Sequence, residues 1–407
     1  MSIRTGDEWA SPLREMFEAC TTPSSANAHL LMGHRGCGKS TELNNLKRGF
    51  EEKGYHVCMV DALIETDPFQ INQWDIMLLI TEGLCKIAND ISADIPKAVV
   101  NAIINILKKD IEIVEDQYSS VSVDASAGIE AKTPSLLSGV LNLFASLKSN
   151  LKLSSETRTT VTEKMQRRAS EWLNYTKEIS AHITDKCEYK QPIIIFENLD
   201  KIPQPEKIFD LLSFSVLSQM PFPVIYTFPI DQFYAPRFAS IGAIYTRHIL
   251  PMIKVYNLDK RVNNDGLLIM GEIVELRADI RLFDEDKDIL NMLIRKTGGS
   301  LRHLFECIIN AARRASWRGA AKIEEEDAER ALSELSKGLI RQITKPNYDN
   351  LISIIKDPES REQIDDLDFL LKMMQASVVL EYENGVRWND VHPLVAEFIL
   401  KHAETKE

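Results

Sequence analysis

Residues 33 to 40 read Gly33-His34-Arg35-Gly36-Cys37-Gly38-Lys39-Ser40 and fill every fixed position of the pattern G-x-x-x-x-G-K-[ST]. A loop that wraps a polyphosphate needs backbone amides close to the oxygens, and Gly33, Gly36 and Gly38 remove the Cβ atoms that would block them. Lys39 then neutralises the β and γ phosphates and the Ser40 hydroxyl holds Mg²⁺. The flanks agree. Ala28-His29-Leu30-Leu31-Met32 is a short apolar run before the loop, and Leu43, Leu46 and Phe50 mark one face of a helix after it. Strand, loop and helix in that order set the positive end of the helix dipole against the phosphates. The nucleotide-binding positions are therefore Gly33, Gly36, Cys37, Gly38, Lys39, Ser40 and the adjoining Thr41. The Lys39 ammonium is expected to stand exposed on the loop and to add little to the core.

The chain around this loop, at 407 residues, is long enough for two or three domains. No apolar run reaches the roughly 18 residues of a membrane span, and Met1 to Glu8 lacks an apolar leader, so the cytoplasm is the expected compartment. Six cysteines with no C-x-x-C pair argue for thiols over a disulfide framework or a zinc site. A formal net charge of −12 disfavours a surface built mainly to hold a nucleic-acid backbone.

A second strand, Tyr55 to Asp61, follows the first helix. The next apolar run, Pro192-Ile193-Ile194-Ile195-Phe196, ends in Glu197-Asn198-Leu199-Asp200-Lys201. Unbroken β-branched residues suit a parallel strand buried on both faces, and acids at its carboxyl end meet the phosphate loop at the sheet rim. This is the Walker B position of a P-loop fold. Either Glu197 or Asp200 can support the magnesium or polarise the attacking water. Two further buried strands are expected over Pro223–Pro229, with Thr227 near its end, and over His248–Val255.

In this order of parts the chain resembles the AAA+ and STAND branch of P-loop ATPases, in particular the forms related to origin-recognition ATPases and to signalling ATPases of bacterial conflict systems. The resemblance covers most of residues 1 to 340. It implies a γ-phosphate contact from Thr227 as "sensor 1" and an arginine finger for a neighbouring subunit from Arg247, with Arg237 as its rival. It also implies that Gly298-Gly299-Ser300-Leu301-Arg302 brings Arg302 over the nucleotide from a helical lid. The chain departs from the family at the magnesium position, where Glu197 replaces the usual Asp and is followed by Asn198, which cannot accept a proton. The general-base step then leans on Asp200, and turnover is expected to be slow.

The implied architecture is α/β: a P-loop core over residues 1–258 with a helical insertion at about 90–188, a helical lid over 259–342 and a winged-helix domain over 343–407. The insertion is inferred from the 157 residues between Lys39 and Glu197, far more than two crossover units need. It should contain helices near Lys97–Lys108 and Glu156–Ile183, a small alternating stretch Ser119–Gly128, and an apolar stretch Leu136–Phe144 that is either buried or an exposed partner element. Asn384-Gly385 between two β-rich runs signals the hairpin of the wing. Residues 341–407 carry 8 Lys/Arg against 13 Asp/Glu, which opposes DNA tracking and favours packing on the lid and on partners. Two functions fit: an ATP-driven switch, using ATP and Mg²⁺, that assembles with itself or with an effector protein in antiphage defence or signalling; or a DNA-binding initiator or remodelling ATPase.

Overall fold

Five short strands, β1 (Ala28–Gly33), β2 (Val57–Asp61), β3 (Ile193–Glu197), β4 (Val224–Pro229) and β5 (Thr246–Ile249), form one sheet in the order β2-β3-β4-β1-β5. Every pairing is parallel. The computed structural model describes residues 12–22, 27–117, 133–151, 163, 167–283, 287–358 and 366–404. β1 and β4 are buried along their whole lengths, as continuous apolar runs covered on both faces must be. Parallel pairing brings the carboxyl ends to one rim, where Asp61 lies opposite Glu197 and Gly33 opposite Pro229. The fifth predicted strand, His248–Val255, is shorter and begins earlier than the sequence suggests. Pro251 has no N–H to continue the ladder, and Arg247 falls inside β5.

Helix α1 (Pro12–Thr21) precedes the sheet, and α2 (Lys39–Glu52) leaves the glycine loop with Leu43, Leu46 and Phe50 buried. Between β2 and β3 come α3 (Gln73–Asp90), α4 (Lys97–Gln117), α5 (Thr133–Leu151) and α6 (Ala169–Lys186). A capping box starts α3: Asn72 Oδ1 accepts from the Trp74 and Asp75 amides while Asp75 Oδ2 accepts from the Asn72 amide. Trp74 then meets Trp172 of α6 edge-on at 5.7 Å, which locks the inserted helices to the core. The Leu136–Phe144 stretch lies within α5, where Leu137, Val140, Phe144 and Leu147 are buried. Lys148 of the same helix pairs with Glu65 at 2.6 Å and with the buried Glu82 at 2.7 Å. The described part of the helix expected from Glu156 begins at Ala169; most of its predicted start and all of Ser119–Gly128 lie outside the described residues.

After the sheet, α7 (Asn264–Glu275), α8 (Asp288–Lys296), α9 (Leu301–Trp317) and α10 (Glu325–Ile340) make the lid. A winged-helix unit follows: α11 (Tyr348–Lys356), α12 (Leu367–Gln375), the antiparallel hairpin β6 (Val379–Asn384) and β7 (Val386–Val391), and α13 (Pro393–Glu404). β6 is wedged against the core. Its Leu380 and Tyr382 join Leu31, Cys37, Leu43 and Met252 in one apolar cluster. The Glu381 N–H donates to His34 Nε2 at 2.8 Å, its carbonyl accepts from the Met252 N–H at 3.0 Å, and the Tyr382 hydroxyl donates to the Gly298 carbonyl at 2.7 Å. One strand of the wing thus touches the glycine loop, the segment after β5 and the lid.

Candidate nucleotide site

The glycine loop turns sharply from β1 into α2, and Lys39 is the first residue of that helix. Its ammonium does not stand exposed as expected. It is 6% exposed and donates to the carbonyls of Gly33 (2.6 Å) and His34 (3.0 Å), with Asp200 Oδ2 at 3.0 Å. Burial pulls its pKa down, but the charge and hydrogen bond of Asp200 together with the nearby Cys37 more than offset that, and the net shift is upward, so Lys39 is charged. His34 is the opposite case: burial, with the Lys39 charge behind it, pushes its pKa down to about 3, so a neutral ring accepts the Glu381 amide.

At the end of β3 the chain makes a single 3₁₀ turn, Leu199–Lys201, entered through Asn198 in the left-handed region (φ 67). Asparagine is one of the few residues with a side chain that tolerates this conformation. The turn buries Asp200 at 2% exposure beneath the loop, and its carboxylate is committed to Lys39. The carboxylate expected to act as general base thus stands against the Lys39 ammonium. Thr227, 1% exposed at the end of β4, accepts the Leu199 N–H at 2.9 Å and so ties the two strand ends together.

The lid covers this rim closely. A Cβ on Gly36 (φ 89) would stand 2.6 Å from the Arg302 Cβ, and one on Gly299 (φ 78) would stand 1.9 Å from the Ile253 carbonyl oxygen. Both glycines are demanded by the approach of the lid to the core. Ser300 caps α9, accepting from the His303 N–H, and Arg302 sits in the first turn.

A cavity of about 690 Å³ lies between loop, β3 turn and lid. Among the predicted site residues it is lined by Gly36, Gly38, Lys39, Ser40, Thr41, Glu197, Asp200, Thr227 and Arg302. Ser40 and Glu197 facing one cavity is a hard oxygen donor set that fits Mg²⁺. Gly33 and Cys37 are not in the lining; Cys37 is fully buried beneath the loop. Arg247 is exposed on β5, at the edge of the sheet, and does not reach this cavity. Arg237 pairs with Asp210 at 2.6 Å and lies over the Phe209 ring.

No protein-family model and no curated protein matches the chain. Among solved structures it is similar to the ORC1 protein of Aeropyrum pernix in complex with DNA, with 14% identity, 97% of this chain and 92% of that one covered, and a TM-score of 0.37. The ADP form of the ORC2 protein of the same organism is similar at 12% identity over 96% and 91%, with a TM-score of 0.39. At this depth the likeness carries no residue roles and no ligand across.

The cavity also contains residues to which the sequence assigned no binding or catalytic role: Asn198, Lys201, Arg277, Phe305 and Arg313. Arg277 lies over the Phe305 ring at 5.4 Å and donates to Thr41 Oγ1 at 3.3 Å, latching the lid to α2. Phe305, Ile309 and Arg313 follow Arg302 at near-helical intervals along α9. The stripe was visible in the sequence as a cationic and apolar face left over from the buried one.

Proposed function

We propose that the chain is an ATP-binding, slowly hydrolysing molecular switch of the AAA+ kind that assembles with itself or with an effector protein. The observation that carries this reading is the convergence of Lys39, Ser40, Glu197, Thr227 and Arg302, from loop, two strand ends and lid, on one cavity. A sheet in which β4 lies between β1 and β3 supports it, because that order brings Thr227 and Glu197 to the same rim as the loop. The assigned units are a core over 1–258, a lid over 259–342 and a winged helix over 343–407. The defence or signalling setting follows the sequence resemblance.

In this reading the loop amides and Lys39 hold the phosphates and Arg302 closes over them from the lid. Ser40 and Glu197 hold Mg²⁺, which supplies charge neutralisation of the phosphates when bound. Thr227 fixes the β3 turn against β4. With Asp200 paired to Lys39, Glu197 given to the metal and Asn198 unable to take a proton, the end of β3 offers no free strong base, and hydrolysis by one chain is slow. Arg247, exposed on the edge strand, is available to a neighbouring copy.

Calorimetric titration with ATP and Mg²⁺, followed by turnover measured across a dilution series, tests the reading. Specific activity is expected to climb with protein concentration. Arg247→Ala is expected to flatten that rise without weakening ATP binding, since an arginine supplied in trans contributes about 10³ to 10⁵ in rate in related phosphoryl transfers. High and constant activity on dilution, or no ATP binding, overturns it.

A further inference from the structure

The side chain of Asn198 is held from both ends. Its Nδ2 donates to Asp61 Oδ2 at 2.7 Å, and its Oδ1 accepts from Lys201 Nζ at 2.5 Å. A carboxylate only accepts and an ammonium only donates, so chemistry fixes which way the amide faces. The amide nitrogen points to the end of β2 and the amide oxygen to Lys201. Asn198 and Lys201 both line the cavity; Asp61 stands behind them. Asp61 is itself immobilised, because its Oδ1 accepts the Leu63 and Ile64 amides at 3.0 and 3.3 Å. Parallel pairing of Asp61 with Glu197 places this relay directly beside the candidate magnesium carboxylate.

We propose that Asn198 is the catalytic residue that positions the attacking water, through Oδ1, and that Asp61 is the positioning residue that sets the amide. The proposal rests on the cavity being an ATP site. An amide oxygen has two lone-pair directions, and Lys201 uses one, which leaves the other for a water hydrogen. The water oxygen then bonds to the γ-phosphorus while the bond from that phosphorus to the β–γ bridging oxygen breaks, leaving its electron pair on ADP. The amide cannot take the proton, so it passes to a γ-phosphoryl oxygen and leaves with the phosphate product. Catalysis at this position is orientation without base strength.

Three variants of the full chain test it, each measured for ADP affinity, for affinity to ADP with aluminium fluoride as a mimic of the transferring phosphoryl group, and for turnover. Asn198→Gly keeps the left-handed backbone and removes the amide. It is expected to leave ADP affinity unchanged and to lower turnover and aluminium-fluoride affinity together by about 10- to 100-fold. Asp61→Leu is expected to do the same. Asp61→Asn, whose single amide oxygen can still accept from the Asn198 amide only by giving up the bonds to the Leu63 and Ile64 amides, is expected to lose clearly less than Asp61→Leu. Normal turnover and normal analogue affinity in Asn198→Gly overturn the proposal, as does equal loss in Asp61→Asn and Asp61→Leu. A parent chain that binds the analogue but does not turn over ATP sinks the hydrolysis reading alone, because analogue affinity still decides the role of Asn198. A chain that binds neither nucleotide species overturns both.

Discussion

On the floor of the cavity Lys39 makes three polar contacts within 3.0 Å, to two loop carbonyls and to Asp200, whereas on its roof Arg302 and Arg313 make no ion pair among the described residues. On the floor, Lys39, Asp200 and Thr227 are buried and bonded to the loop and strand ends of the sheet. Roof residues ride on α9 and touch the loop chiefly where Arg302 passes over Gly36. The difference teaches that charge of one sign does two jobs here. The floor cation is part of the fold as well as of the site, while the roof cations are kept for whatever enters between them. Mutating the floor should therefore damage stability and binding together, and mutating the roof should damage binding alone.

The largest effect is expected at Lys39→Ala. Removing the ammonium leaves Asp200 as a buried, uncompensated carboxylate, so denaturant unfolding should show a loss of about 3–5 kcal/mol along with lost ATP binding. Lys39→Ala combined with Asp200→Asn should regain most of the stability and none of the binding. A stable single variant would erase the contrast between floor and roof. Next in size is Gly36→Ala, which strains a residue at φ 89 and drives a Cβ into Arg302; it should cost about 1–3 kcal/mol in nucleotide affinity, read by calorimetry.

A comparable effect, but one set by pH, is expected where the wing meets the floor. Burial pushes the Glu381 carboxyl up from 4.5 to about 7. A raised carboxyl pKa means that the folded chain holds this proton more tightly than the unfolded chain. The resulting stability is complete below 4.5 and is lost as pH rises through about 7. Glu381→Gln should abolish that decline, gaining about 1–3 kcal/mol over the parent at pH 8 and nothing at pH 4, as followed by thermal melts. The smallest effects belong to the roof: Arg302→Ala and Arg313→Ala should each weaken ATP binding by roughly 1 kcal/mol, more at low salt, with melting unchanged. A roof variant that lowers the melting temperature would show that the lid arginines also belong to the fold.

What the sequence disclosed follows the same division. The loop Gly33–Ser40 and the strand ending in Glu197 are legible because their chemistry is contiguous, and the Asn384-Gly385 hairpin because its turn residues are local. Buried Lys39 was not legible, since its partner Asp200 approaches only once β3 and β1 share a sheet. The same holds for Asp61, which reads as an ordinary strand-end acid until β2 pairs with β3 and delivers it to Asn198. Arg277 and Arg313 carry no motif at all. The short β5 was over-read because the apolar run His248 to Val255 continues past Pro251, where the ladder must stop.

The hydrogen bond between Glu381 and His34 spans 347 positions of the chain, from the second residue of the glycine loop to a strand near the far end. During synthesis the loop, β1 and α2 emerge before β6, and the backbone amide that seats His34 follows 347 positions later. The phosphate loop is thus completed by a strand made long after it, and a ribosome-bound chain halted before Glu381 would carry a complete motif without its completed shape.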